Sequence, residues 1–234
     1  MPATDTAAAM PSTASTDPPC PEVPAAFLAR LQTLLAGRER VLLGLAGAPG
    51  SGKSTLAQAL QQALPDIAAV VVPMDGFHLA QAELVRLGRA GRKGAPDTFD
   101  SAGYVALLQR LRTPRAGETV YAPAFRREIE EPVAGAIAVP PDTRLVITEG
   151  NYLLLSDGAW AGVHALLDEV WYVEVDPAVR LDRLARRHEQ FGRTRAAALD
   201  WIARTDEPNA RRIEATRGRA DQVLGWPDQR STPS

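Results

Sequence analysis

One stretch constrains this chain more than any other: Gly47-Ala-Pro-Gly-Ser-Gly-Lys-Ser54, set directly behind the apolar run Val41-Leu-Leu-Gly-Leu-Ala46. Downstream of it, Leu56, Ala59, Leu60, Ala63 and Leu64 recur at helical spacing. The run predicts a buried strand and the periodicity predicts a helix over 53–64, stopped by Pro65 and Asp66. A second β-type run, 69–74, ends at Asp75-Gly76. Strand, glycine turn, helix and strand make one βαβ unit, which implies a parallel sheet.

The turn fits G-x-x-x-x-G-K-[ST], and chemistry explains its spacing. Phosphate oxygens must be approached closely by consecutive backbone N–H groups. Glycines permit the positive φ angles this needs and carry no Cβ to block the approach. The helix starting at Lys53 points its positive end at the same anion. Lys53 then reaches the β- and γ-phosphates, and the Ser54 hydroxyl is a ligand for Mg²⁺. Gly47, Ala48, Pro49, Gly50, Ser51, Gly52, Lys53 and Ser54 are therefore the expected phosphate-binding residues, and ATP and Mg²⁺ the expected cofactors. The expected fold class is α/β, a P-loop NTPase with a mostly parallel sheet, helices on both faces and a small lid or flap.

The 234 residues, 45% of them hydrophobic, suffice for one core. Residues 25–225 are expected to form it, between a disordered N-terminal tail (1–24), rich in Ala, Thr, Ser and Pro, and a polar C-terminal tail (226–234). The formal net charge of -2 argues against a general nucleic-acid or membrane partner, although arginines crowd the region from Arg180 to Arg219. The single cysteine, Cys20, leaves no intrachain disulfide. No apolar run approaches the roughly 20 residues of a membrane span. The N-terminus lacks the basic start and apolar stretch of a secretory signal, so a cytoplasmic location is expected.

Further along, 86–100 reads as a loop, and Ser101 as the cap of a helix to about Arg112. Two short β-prone pieces, 119–121 and 136–139, suggest a small appended sheet or flap. Buried strands are expected over 145–148 and 170–175. Asp176-Pro177 is a helix-start signal for a helix to about His188. Helices follow over about 195–204 and from near Pro208, with a last strand at 220–224.

In open α/β sheets ligands sit beyond the carboxyl ends of the strands. Asp75 and Glu149 both occupy such places. Asp75 is positioned to take the proton of an attacking hydroxyl or to hold a Mg²⁺-bound water. Glu149 is positioned to support Mg²⁺ with Ser54. Either acid alone could instead cap its turn. His78, three residues after Asp75, reads as a substrate contact or as a structural histidine.

The chain resembles the P-loop kinases that group uridine kinase, pantothenate kinase and phosphoribulokinase. The resemblance rests on 47–55, Met74-Asp-Gly-Phe-His78, Arg92-Lys-Gly-Ala-Pro-Asp-Thr-Phe-Asp100, Val120-Tyr-Ala-Pro-Ala-Phe-Arg126 and Ile147-Thr-Glu-Gly-Asn-Tyr152, in that order. The most similar subgroup is a bacterial one described as nucleoside/nucleotide kinase-like or sugar-transport-associated kinases. The resemblance adds Thr55 to the phosphate loop and implies that Asp75 is the catalytic base. It implies that Tyr121 and Arg126 lie over the acceptor site, with Arg92 and Asn151 also contacting the acceptor. It further implies an arginine-bearing lid, for which Arg183 and Arg187 fit; with Arg180 they form one helix face, opposite Leu181, Leu184 and Ala185. The segments that grip uracil in uridine kinases and pantothenate in pantothenate kinase are not matched. The reaction type therefore carries over and the acceptor does not.

The expected activity is Mg-ATP-dependent transfer of the γ-phosphoryl group to a hydroxyl of a small metabolite: a sugar, a nucleoside or a pantothenate-like alcohol. The alternative is a P-loop ATPase switch acting through a protein partner. The expected partner is the small-molecule acceptor, with no nucleic acid and no membrane, and a homodimer left open.

Overall fold

The computed structural model describes residues 22–225. Most of the expected tails, 1–21 and 226–234 with Cys20, lies outside the described residues. Val23 is already buried, packed with Leu31, Leu34 and Leu35 of the first helix.

In chain order the elements are α1 (Ala25–Leu35), β1 (Val41–Ala46), α2 (Lys53–Gln62), β2 (Ala69–Pro73), α3 (Gln81–Arg86), α4 (Ser101–Arg112), β3 (Val120–Arg126), β4 (Glu131–Val139), β5 (Leu145–Gly150), β6 (Glu169–Glu174), α5 (Pro177–Gln190), α6 (Arg195–Trp201), α7 (Glu207–Glu214) and β7 (Gln222–Gly225). Five strands form one sheet in the order β2-β5-β1-β6-β7, every neighbouring pair parallel. β1 lies at its centre and is buried along its whole length, which is why it reads as an unbroken apolar run rather than an alternating one. Its side chains divide by parity. Val41, Leu43 and Leu45 join α1 and α2 in one core, while Leu42 and Ala46 join Tyr104, Leu107 and Leu108 of α4 in the other. Helices thus cover both faces. β2 is an edge strand, where Pro73 is tolerated because its missing N–H costs no ladder bond.

The appended flap is a two-stranded antiparallel hairpin, β3–β4, with longer strands than the sequence indicates and a register shift between Ala122 and Ala124. It lies against the 3₁₀ turn Met74–Phe77 that follows β2. The approach is close: a Cβ on Gly76 would meet the Pro123 carbonyl oxygen at 2.3 Å.

Several local expectations are corrected. Asp100, not Ser101, caps α4, its carboxylate accepting from the Gly103 N–H at 2.8 Å. The 86–100 loop contains the end of α3 and two 3₁₀ turns, Ala90–Arg92 and Pro96–Thr98. Between α6 and α7 the chain does not break; a π turn, Ile202–Asp206, joins them. The Asp176-Pro177 start is as read, with the Asp176 carboxylate accepting from Ala178 N–H at 2.8 Å and Val179 N–H at 3.3 Å. Among the described residues no helix is long and apolar enough to cross a membrane.

Candidate active site

The 47–54 turn bridges the centre of the sheet and the start of α2. Gly52, at φ 91°, stands immediately before the helix, and Gly50 has φ 84°. A side chain at Gly50 would also strike α5: a Cβ there lies 2.9 Å from the Arg180 carbonyl oxygen and 2.9 Å from Leu184 Cγ. The loop therefore rests directly on α5. Lys53 is buried, its Nζ donating to the Ala48 carbonyl at 3.1 Å, so the ammonium folds back over the loop. Ser51 Oγ is buried with no hydrogen-bond partner among the described residues. A buried, unpaired hydroxyl in a turn with glycines at positive φ fits a loop built to meet phosphate oxygens.

Strand register brings the acids to this loop. Leu45 pairs with Glu149 and Ala46 with Gly150, while on the other side Pro73 pairs with Glu149. Glu149 is itself part of β5, and its Oε1 accepts from Ser54 Oγ at 2.9 Å. Asp75 lies two residues past Pro73, in the 3₁₀ turn rather than on the strand. Burial, followed by the charge of Asp75, raises the pKa of Glu149; Lys53 and the Ser54 bond oppose this. Burial lowers Lys53 to about 8 against the pull of Glu149 and Asp75, with Arg187 adding to the depression. A hydroxyl and a carboxylate 2.9 Å apart form a hard-oxygen pair of the kind that would hold Mg²⁺.

The other sequence-derived candidates divide. His78 is held between aromatic rings, with centroids 4.0 Å from Phe99 and 4.7 Å from Phe125, and its Nδ1 donates to the Asp75 carbonyl at 2.7 Å. Burial lowers its pKa. Arg187 is half-buried on α5, and burial, then the charge of Arg127, lowers its pKa. Arg183 is half-buried on the same helix. Arg180 departs from the expected basic face: it is buried and ion-paired with Glu207 at the start of α7. Asn151 is half-buried just beyond β5.

Arg92 pairs with Asp97 at 2.5 Å. With Ala95, Trp201, Thr205 and Asn209 it lines a groove of about 370 Å³ between the 91–95 loop and the π turn. Tyr152, just past Glu149, is buried and donates to the Gly94 carbonyl, tying that loop to the sheet. Tyr121 is largely exposed on the flap, and Arg126 is exposed at the end of β3, opposite Glu131.

Sequence reasoning missed Arg127. Its Nη2 lies 3.5 Å from Asp75 Oδ2, and its guanidinium carbon 5.9 Å from the centroid of the Phe125 ring. Two adjacent arginines at a strand end must diverge. The register shift between Ala122 and Ala124 falls at Pro123, where a strand proline favours a bulge, but neither fact tells which arginine turns inward.

Comparison with known proteins agrees with this architecture. The sequence pattern described as the phosphoribulokinase/uridine kinase family matches residues 42–230. A Schizosaccharomyces pombe protein named "putative uridine kinase" is 37% identical over 205 residues, covering 83% of this chain and 87% of the relative. The pantothenate kinase of Leifsonia xyli is 33% identical over 213 residues, 78% of this chain and 65% of that one. A crystal structure from Silicibacter sp. TM1040, described as a "putative fructose transport system kinase", superposes with a TM-score of 0.78 at 41% identity, covering 87% of this chain and 98% of the other.

Proposed function

The chain belongs to the phosphoribulokinase/uridine kinase family and is an ATP-dependent small-molecule kinase; on that premise we propose that it transfers the γ-phosphoryl group to an alcohol bound between Asp75 and the β3–β4 flap. The observation that carries this reading is the strand register. Glu149 stands beside the phosphate loop with Ser54 bonded to it, and Asp75 lies on its far side, two residues past Pro73.

In this reading the backbone of 47–52, with Lys53 and Thr55, binds the phosphates. Ser54 and Glu149 would hold Mg²⁺, which when bound neutralises charge on the phosphate oxygens. Asp75 accepts the proton of the attacking hydroxyl. Arg183 and Arg187 approach the transferring group from α5, which already touches the loop at Gly50. His78, Arg92, Tyr121, Arg126 and Asn151 are the proposed acceptor contacts; Arg92 and Asn151 flank the Tyr152–Gly94 tie, and His78 backs Asp75. A loose phosphoryl transition state leaves the protein mainly positioning and electrostatics to supply, which is what these residues offer.

The names of the relatives span a nucleoside, pantothenate and a sugar system, so the acceptor is to be sought among those alcohols. The test measures ADP release with Mg-ATP alone and with each member of such a panel, products being identified by mass. Stimulation by one alcohol, with a product heavier by one phosphoryl group, is the expected result. Equal ADP release across the panel would overturn it in favour of an ATPase switch.

A further inference from the structure

Arg127 stands where three parts of the site meet. It comes from the turn end of the flap, and its ion-pair partner is Asp75, in the turn after β2. Its charge acts on Glu149 at the end of β5 and on Arg187 of α5. Phe125 carries it from beneath, with Lys93 Nζ also 5.2 Å from that ring's centroid and bonded to the Glu130 carbonyl at 2.5 Å. Phe125 in turn packs on His78, so the inward turn of Arg127 is braced by an aromatic stack continuing to Phe99.

The charge arrangement is costly as it stands. Arg127 and Arg187 come from different elements and repel each other, and Arg187 also acts on Lys53. The carboxylates that offset Arg187 are Asp206, Asp75 and Glu149; Asp206 already bonds His188 and Glu149 already bonds Ser54, which leaves Asp75, the partner of Arg127. Drawing cations together is favourable when a further anion lies among them. Lys53 fixes where that anion lies: over the phosphate loop, at the γ-phosphate end. The 3.5 Å separation from Asp75 is long for a charge-assisted hydrogen bond, so Arg127 is held near Asp75 without being locked to it.

We propose that Arg127 is a further catalytic residue, which leaves Asp75 to grip the γ-phosphoryl group from the flap side, opposite Arg187. The exchange frees Asp75 for the acceptor hydroxyl at the moment the nucleotide is seated. It also gives the flap a reason to carry a cation to Asp75, which an acceptor contact alone would not require. The inference rests on the proposal that the 47–54 loop binds ATP, but not on which alcohol is phosphorylated.

The experiment compares wild type, Arg127→Gln and Arg127→Lys for binding of Mg-ADP and of the non-hydrolysable Mg-AMP-PNP by calorimetry, and for turnover with any alcohol the panel yields. Arg127 is half-exposed, so both variants should fold, and unchanged ADP affinity verifies this. In Arg127→Gln, AMP-PNP affinity should fall about tenfold, as for loss of one charged hydrogen bond. Turnover should fall about 10²–10³-fold, as for loss of one oxyanion donor. Arg127→Lys should recover part of both. Unchanged AMP-PNP affinity and turnover would overturn the proposal, and so would a loss confined to the acceptor KM. If no alcohol is phosphorylated while the ADP/AMP-PNP difference persists, the proposed alcohol acceptor fails and the grip of Arg127 on the γ-phosphoryl group stands.

Discussion

Ser54 Oγ donates to Glu149 Oε1 at 2.9 Å, joining the first turn of α2 to the last residues of β5. The bond ties the phosphate loop to a carboxylate that burial and Asp75 hold above its ordinary pKa. Removing that charge should separate function from stability. An acid whose folded pKa is raised contributes stability that is full below its unfolded value and is lost as pH rises through the folded one. At neutral pH Glu149 therefore costs the nucleotide-free fold stability. Glu149→Gln should raise the thermal midpoint at pH 7, while the Mg²⁺ requirement rises about 10–100-fold, the usual cost of a lost metal-supporting group. A lowered midpoint with unchanged Mg²⁺ dependence would contradict this.

Lys53 makes the same trade with the opposite charge. Its folded value of about 8 lies below the ordinary 10.5, so the unfolded chain holds a proton that the folded one gives up between those values. Stability from this group rises as pH rises across that window, and the cost is full below about 8. Lys53→Met keeps the aliphatic stem and removes the cost. It should raise the denaturation midpoint of the empty protein at pH 7, and abolish ATP turnover.

Nucleotide binding should report the same proton. Above about pH 8 the empty site holds a neutral lysine that must regain a proton to meet the phosphates. ATP affinity should therefore fall as pH rises beyond that point, with proton uptake detectable by calorimetry in buffers of different ionisation enthalpy. Lys53→Met should show neither effect.

Arg180 and Glu207 test whether α5 is held as described. Arg180 is buried and Glu207 mostly so, and Arg180 Nη1 has no further partner among the described residues. Breaking one side of such a pair leaves a buried charge, and Arg180→Ala should cost about 3–5 kcal/mol. The double change Arg180→Met with Glu207→Leu should recover most of it, because it removes both charges while filling the volume. An additive loss in the double variant would refute the pairing.

The first βαβ unit was legible because its signals agree: an apolar run, glycines where φ turns positive, and a helical period. Asp75 and Glu149 followed from the rule that ligands meet strand ends, although Glu149 proved to lie within β5 and Asp75 in a turn. Arg127 was not legible, because it lies in the turn just past β3, where strand alternation no longer assigns a side chain to one face. Nor was the role of Arg180. A basic stripe at helical spacing looks the same in sequence whether it faces solvent or a glutamate 27 positions on. The π turn before Glu207, which continues the helix into α7, has no compositional mark and inserts an extra residue into a pattern read at 3.6 per turn.

The central claim is phosphoryl transfer to an alcohol with Asp75 as base, and single-turnover transfer from γ-labelled ATP, in wild type and Asp75→Asn, tests it most directly. With the alcohol from the panel, wild type should place the label on that alcohol. Asp75→Asn should bind AMP-PNP as wild type does, yet transfer label about 10²–10⁴-fold more slowly, the range for one acid–base group. Label appearing in inorganic phosphate at equal rates in both proteins, with none on the alcohol, would contradict the account.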